Sequence, residues 1–358
     1  MRLLAGGVLG GWLLLASTAG AAWLPETVRI GRLGIAYDEW SVVLSRVGLE
    51  RRPGAPLALS VDRIEGPAGI IPLWASLRIG PAATGWRMDG VMASAKGELV
   101  LRFNGAGDGG ALDRIAIAME PLRFEPGALQ PVRLWSGFED VLGDARGTID
   151  LALDWQRGQP EAADLALTIT GLAFVTDYGE VGPINGSIRL DRLWPPRTAM
   201  PQKLRVEGLD FGRLVDGLEI DELTVEGIMD ADLVFSFNEL GRMHIEQGHL
   251  EARGPGIIRY RPQSPPPLLE SQGANVDLLI AALANFRYDA AVATFEGFLD
   301  GDIAVALHLH GANPELYEDQ PIELNLSLEA PILGLVSAGR NAFELPIRLR
   351  RALQELAR

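Results

Sequence analysis

"PIELNLSLEA", residues Pro321–Ala330, decides the fold class. Ile322, Leu324, Leu326 and Leu328 fall on one side of an extended chain, and Glu323, Asn325, Ser327 and Glu329 on the other. Alternation with a period of two is the pattern of a strand with one buried face. The preceding run repeats it, with Ile303, Val305, Leu307 and Leu309 on one side of "DIAVALHLHG". So does "TIDLALDW" (Thr148–Trp155), where Ile149, Leu151, Leu153 and Trp155 share a side and Asp150 and Asp154 oppose them. Similar patterns occupy Gly97–Phe103, Asp113–Met119, Ala163–Ile169, Lys203–Val206 and Asp221–Val225, separated by Gly, Asp-Gly and Pro turns. About twenty candidate strands at about 4.8 Å each predict a sheet on the order of 100 Å across. Helical patterns are few. "NVDLLIAALANF" (Asn275–Phe286) has an apolar stripe, "GLDFGRLVDGL" can hold a short turn, and Leu349, Leu353 and Leu356 share one face near the C-terminus.

The 358 residues, 47% of them hydrophobic, suffice for a large buried surface. No cysteine is present, which excludes a disulfide framework and thiolate metal sites. A formal net charge of -15 repels phosphate backbones, so no nucleic-acid partner is expected. Between Arg2 and Glu26 there is no charged side chain, a run long enough to cross a bilayer as an anchor. With Ala19-Gly20-Ala21 at its end, the same run also fits a cleaved signal segment. The predicted organisation is residues 1–25 as anchor or signal, 26–200 as the first part of a β-structure, and 201–358 as its second part with a C-terminal helix.

Candidate chemistry is sparse. His308 and His310 share a face two residues apart, a spacing open to a metal pair, but no third ligand stands at a recognisable distance and a solvated polar face is the plainer reading. His244 and His249 read as surface residues. Asp300 and Asp302 flank Gly301 as in a hairpin turn. In "HLEARGPGIIRY" (His249–Tyr260), Gly254-Pro255-Gly256 lies between two extended runs. A phosphate cradle needs a helix after its glycines, and Ile257-Ile258-Arg259-Tyr260 is strand-like, so a strand corner is expected. No cofactor, no metal and no enzyme activity are expected.

"GHLEARGPGIIRY", "NFRYD" (Asn285–Asp289), "HGANP" (His310–Pro314) and "QPIELNLSLE" (Gln320–Glu329), in that order, resemble the C-terminal part of the YdbH family of envelope proteins. "AAWLPETVRIG" (Ala21–Gly31) is similar to the start of that family's exported region. The resemblance implies an AsmA-like fold. That is a long, curled antiparallel sheet shaped like a taco groove, with an N-terminal membrane helix and few short helices. It implies a single-pass inner-membrane protein with its bulk in the periplasm, carrying phospholipids between inner and outer membrane. Ile149, Leu151, Leu153, Ile303, Val305, Leu307, Leu309, Ile322, Leu324, Leu326 and Leu328 would then line an apolar lipid-contacting groove. A basic C-terminal segment with Arg348, Leu349, Arg351, Leu353 and Leu356 would cap the sheet or dock a small outer-membrane lipoprotein of the YnbE kind. The alternatives are a structural envelope scaffold of the same fold without lipid flux, and a periplasmic small-solute module of dicarboxylate type. A groove predicts a continuous apolar stripe, a scaffold a filled core, and a solute module a closed pocket with convergent polar groups.

Overall fold

The computed structural model describes residues 25–37, 40–66, 69–109, 111–138, 143–157, 163–176, 179–193, 195–216, 222–262, 276–316 and 320–330. Short alternating runs broken by turn residues fold into antiparallel hairpins. In the first half these are β1 (Thr27–Tyr37), β2 (Trp40–Glu50), β3 (Leu57–Glu65), β4 (Leu73–Pro81), β5 (Trp86–Ser94), β6 (Val100–Asp108), β7 (Ala111–Met119), β8 (Leu122–Phe124), β9 (Gly143–Gln156), β10 (Ala163–Thr176) and β11 (Gly179–Leu190). A small separate hairpin follows, β12 (Arg192–Leu193) and β13 (Pro196–Arg197). Then come β14 (Gln202–Asp210), β15 (Leu223–Glu226), β16 (Ile228–Phe237), β17 (Met243–Ala252), β18 (Gly256–Tyr260), β19 (Phe286–Phe298), β20 (Ile303–Ala312) and β21 (Ile322–Ala330). Among the described residues three short α-helices interrupt them, α1 (Pro131–Leu134), α2 (Phe211–Asp216) and α3 (Val276–Leu283), with one 3-10 turn at Ser136–Phe138.

Among the described residues nineteen strands join one sheet, and every pairing is antiparallel. The registers arrange them in sixteen rows, because β8, β15 and β18 lie end to end with β7, β16 and β17. Fifteen spacings of about 4.8 Å make the sheet about 70 Å across. This is narrower than expected, since three strands lengthen rows instead of adding them. The sheet continues without a break across residue 200, where β11 pairs with β14.

The expected curled groove is corrected to an open sheet. The first and last rows, β1 and β21, pair only with β2 and β20 among the described residues and not with each other. The expected membrane helix, and with it the single-pass inner-membrane placement, is not found among the described helices. Among the described residues no helix is long and apolar enough to cross a membrane. Residues 1–24, on which that expectation rested, lie outside the described residues, as do Arg348, Leu349, Arg351, Leu353 and Leu356.

The connections on the two long sides of the sheet differ. One side carries tight turns, such as those between β4 and β5, β16 and β17, and β19 and β20. The other carries α1 with β8, α2 with β15, and α3 with β18. The Gly254-Pro255-Gly256 segment belongs to the second side and is a corner, as expected. It steps the chain from β17, paired with Val292–Phe298 of β19, to β18, paired with Phe286–Tyr288 of the same strand. Only Gly256 is required by contact. A Cβ there would meet the Tyr288 hydroxyl at 2.1 Å, whereas one at Gly254 would meet nothing within 4 Å. The hydroxyl donates to the Glu226 carbonyl at 3.0 Å and ties β19 across to β15.

Candidate functional site: the apolar face

The polar face of the sheet is laced by cross-strand ion pairs. Arg46 bonds Asp62 at 2.6 Å, Arg205 bonds Asp232 at 3.0 Å and Arg253 bonds Asp230 at 2.7 Å. Arg189 with Asp164 and Arg102 with Glu120 do the same on neighbouring rows. Exposed pairs of this kind contribute about 0–1 kcal/mol each. Opposite charges on facing strands still favour one register over a slipped one, because a one-residue slip would turn the aliphatic positions to water.

The apolar face is occupied by the protein's own side chains in three clusters. The first spans β2 to β7, with Val47, Val61, Leu77, Trp86, Met88 and Phe103 at its centre. The second lies under α3, where Leu279 and Leu283 pack on Met229, Phe286, Tyr288, Ala291 and Leu309. The third gathers Leu122, Phe124 and Ala145 beside Leu129 and Leu134. Gln130, just before α1, fastens it by accepting from the Ala145 N–H at 2.7 Å and donating to the Ala145 carbonyl at 2.9 Å.

Six of the sequence-predicted aliphatic residues, Ile149, Leu307, Leu309, Ile322, Leu324 and Leu326, belong to these clusters or pack against them. Ile303 and Leu309 are 1% exposed. Leu307, Ile322, Leu324 and Leu326 pack half-buried against the second cluster, and Ile149 against the third. Val305, Leu151 and Leu153 are half-buried, with Leu153 facing Ile117 and Leu165, and Leu151 facing Leu167. Leu328 faces Val305 in register. The continuous open stripe required for lipid passage is therefore corrected to a filled face, and the lipid-carrying reading falls with it. The physical cause is side-chain volume: Trp86, Met88, Phe103 and Phe286 are large, buried and packed against their own neighbours.

Sequence reasoning passed over Asn313, which is 1% exposed. Its Nδ2 donates to the carbonyls of Ala281 and Ala282 at 2.9 and 3.1 Å, at the C-terminal end of α3, and its Oδ1 accepts from the Glu315 N–H at 2.8 Å. The last carbonyls of a helix have no partner within it, so Asn313 supplies what α3 lacks and pins it to the sheet. An Asn-Pro pair directly after an alternating run is the signal that could have marked it.

The histidines lie on the polar face. His308 Nδ1 is 2.7 Å from Asn325 Oδ1, and His310 Nδ1 is 2.6 Å from Asp289 Oδ1. Among the described residues no group of three or more His, Cys, Asp or Glu side chains is placed to hold a metal ion. The hydrogen bond to Asp289, then its charge, hold the His310 pKa above the ordinary value of 6.5, with Glu323 adding to the effect. A raised folded-state pKa means the pair's contribution is complete below about 6.5 and is lost as pH rises through the folded value. Proton-detected titration of the full chain should find His310 titrating above a free imidazole. Asp289→Asn should bring it down, and an unmoved His310 would show that the carboxylate is not its partner.

A large single-layer antiparallel sheet with a packed apolar face and an ion-paired polar face is a structural class suited to holding shape and offering edges. Residues 199–354, less than half of the chain, match the model of the YdbH-like family, described as "Intermembrane phospholipid transport protein YdbH". That description is of a transport protein and names no catalysed reaction. No curated protein and no solved structure matches the chain.

Proposed function

We propose that this protein is a non-catalytic structural scaffold of the cell envelope, related to the YdbH-like family through its second half and working without lipid flux. The observation that carries this reading is the filled apolar face, with Leu279 and Leu283 of α3 seated on Phe286 and Leu309. Burial of such side chains stabilises by about 1.5–3 kcal/mol each, so displacing them to admit an acyl chain would forfeit what holds the sheet. The matched family's description supplies the envelope setting. Purification of the full chain from its cells in mild detergent, followed by lipid mass spectrometry, tests the reading. The expected result is no phospholipid retained in stoichiometric amount. One or more phospholipids per chain, lost on replacing Leu307 with aspartate in a still-folded protein, would overturn it.

A further inference from the structure

The two ends of the sheet are built to meet. Each row runs opposite to its neighbours, and the described residues form sixteen rows, an even number. β1 and β21 therefore run in opposite directions. A second copy related by translation across the sheet would set its β1 beside β21 in antiparallel orientation, with both apolar faces on the same side. An odd number of rows would have given a parallel junction instead. Among the described residues, β1 has only β2 as a strand neighbour and β21 has only β20, and the outer edge of a sheet is where a further strand adds.

Charge selects the same arrangement. β1 carries two arginines, Arg29 and Arg32, and no acid, whereas β21 carries two glutamates, Glu323 and Glu329, and no base. Arg29 and Arg32 are exposed and form no ion pair with another described residue. Glu323 is exposed on the polar face of β21. The imbalance extends inwards. Residues 25–135 hold 13 basic and 12 acidic side chains, while residues 136–330 hold 13 basic and 33 acidic. Two-fold pairings of β1 with β1, or of β21 with β21, would bring like charges together, and like charges on facing strands are disfavoured.

We propose that the chain associates head to tail with further copies of itself, β21 of one copy pairing antiparallel with β1 of the next, so that one sheet continues through successive molecules. A heterologous contact of this kind does not close and grows with concentration. The proposal adds to the scaffold reading without depending on it, since a chain that stays single still has a filled face.

Sedimentation of the full chain over a range of concentrations tests it, with one variant for each end. Arg29→Glu with Arg32→Glu blocks β1, and Glu323→Arg with Asn325→Arg blocks β21. The wild-type chain should grow in mass past two copies, less so at high salt. Each variant alone should associate at least about tenfold more weakly. An equimolar mixture of the two should recover growth past two copies, because an intact β21 meets an intact β1 at one junction and the two reversed ends are again opposite in charge at the next. That recovery also shows that both variants are folded. Should a reversal unfold the chain, Arg29→Gln with Arg32→Gln takes its place and should weaken growth in the same direction. A wild-type chain that remains single, association lost in only one variant, association untouched by both, or a mixture that stays dissociated would each overturn the proposal.

Discussion

Phe286→Ala is expected to lower stability by about 3–5 kcal/mol, the range for removing a fully enclosed phenyl ring. Phe286 is the first residue of β19, and 0% of it reaches solvent. It lies beneath α3 and beside Tyr288 in the second cluster, so truncation opens a void that the helix above cannot fill without leaving its own contacts. Urea unfolding followed by circular dichroism measures the loss. Leu240→Ala, at the exposed tip of the turn between β16 and β17, is the control and should change little. A small effect of Phe286→Ala, comparable to that of the control, would mean that this part of the face is not packed and would remove the basis of the scaffold reading.

The second large effect is expected from Asn313→Ala, at about 2–4 kcal/mol. The substitution strands the carbonyls of Ala281 and Ala282, together with the Glu315 N–H, in a place with little water. Its effect should be local before it is global. Hydrogen exchange should speed up over Val276–Leu283 while β2 to β6 keep their protection, because the first cluster shares no residue with the second. Uniform acceleration along the whole chain would show that Asn313 does not act through α3.

The sheet was legible where alternation is strict. The expected strands near Asp302–His310 and Pro321–Glu329 are β20 and β21, and Leu307 faces Leu326 in register as two aliphatic positions should. The helical stripe at Asn275–Phe286 is α3, trimmed to Val276–Leu283 because Phe286 is already the first residue of the next strand. β6 was only partly legible. The alternation near Gly97–Phe103 suggested a strand ending there, yet β6 runs to Asp108. Glycine reads as a turn in sequence. At Gly107 it serves another need, since a Cβ there would meet the Trp86 ring at 2.4 Å. The filled state of the apolar face was not legible at all. Periodicity reports which side chains share a face and is silent on what covers them, so groove and core give the same alternating string. Asn313 escaped for a related reason, because its partners are carbonyls more than thirty residues away along the chain.

The even number of rows has a mechanical consequence. β1 starts and β21 finishes on the same long side of the sheet, so Thr27 and Ala330 are separated across the rows and not along them. Tension applied between these two points pulls at right angles to the strands. It loads the hydrogen bonds of one row at a time, as in a zipper, instead of shearing all those of a row together. Each row touches mainly its two neighbours, so detachment of β1 leaves β3 and the rows beyond it paired. Under such a pull the molecule lengthens in small steps at low force, yielding gradually from its ends instead of breaking at a single threshold.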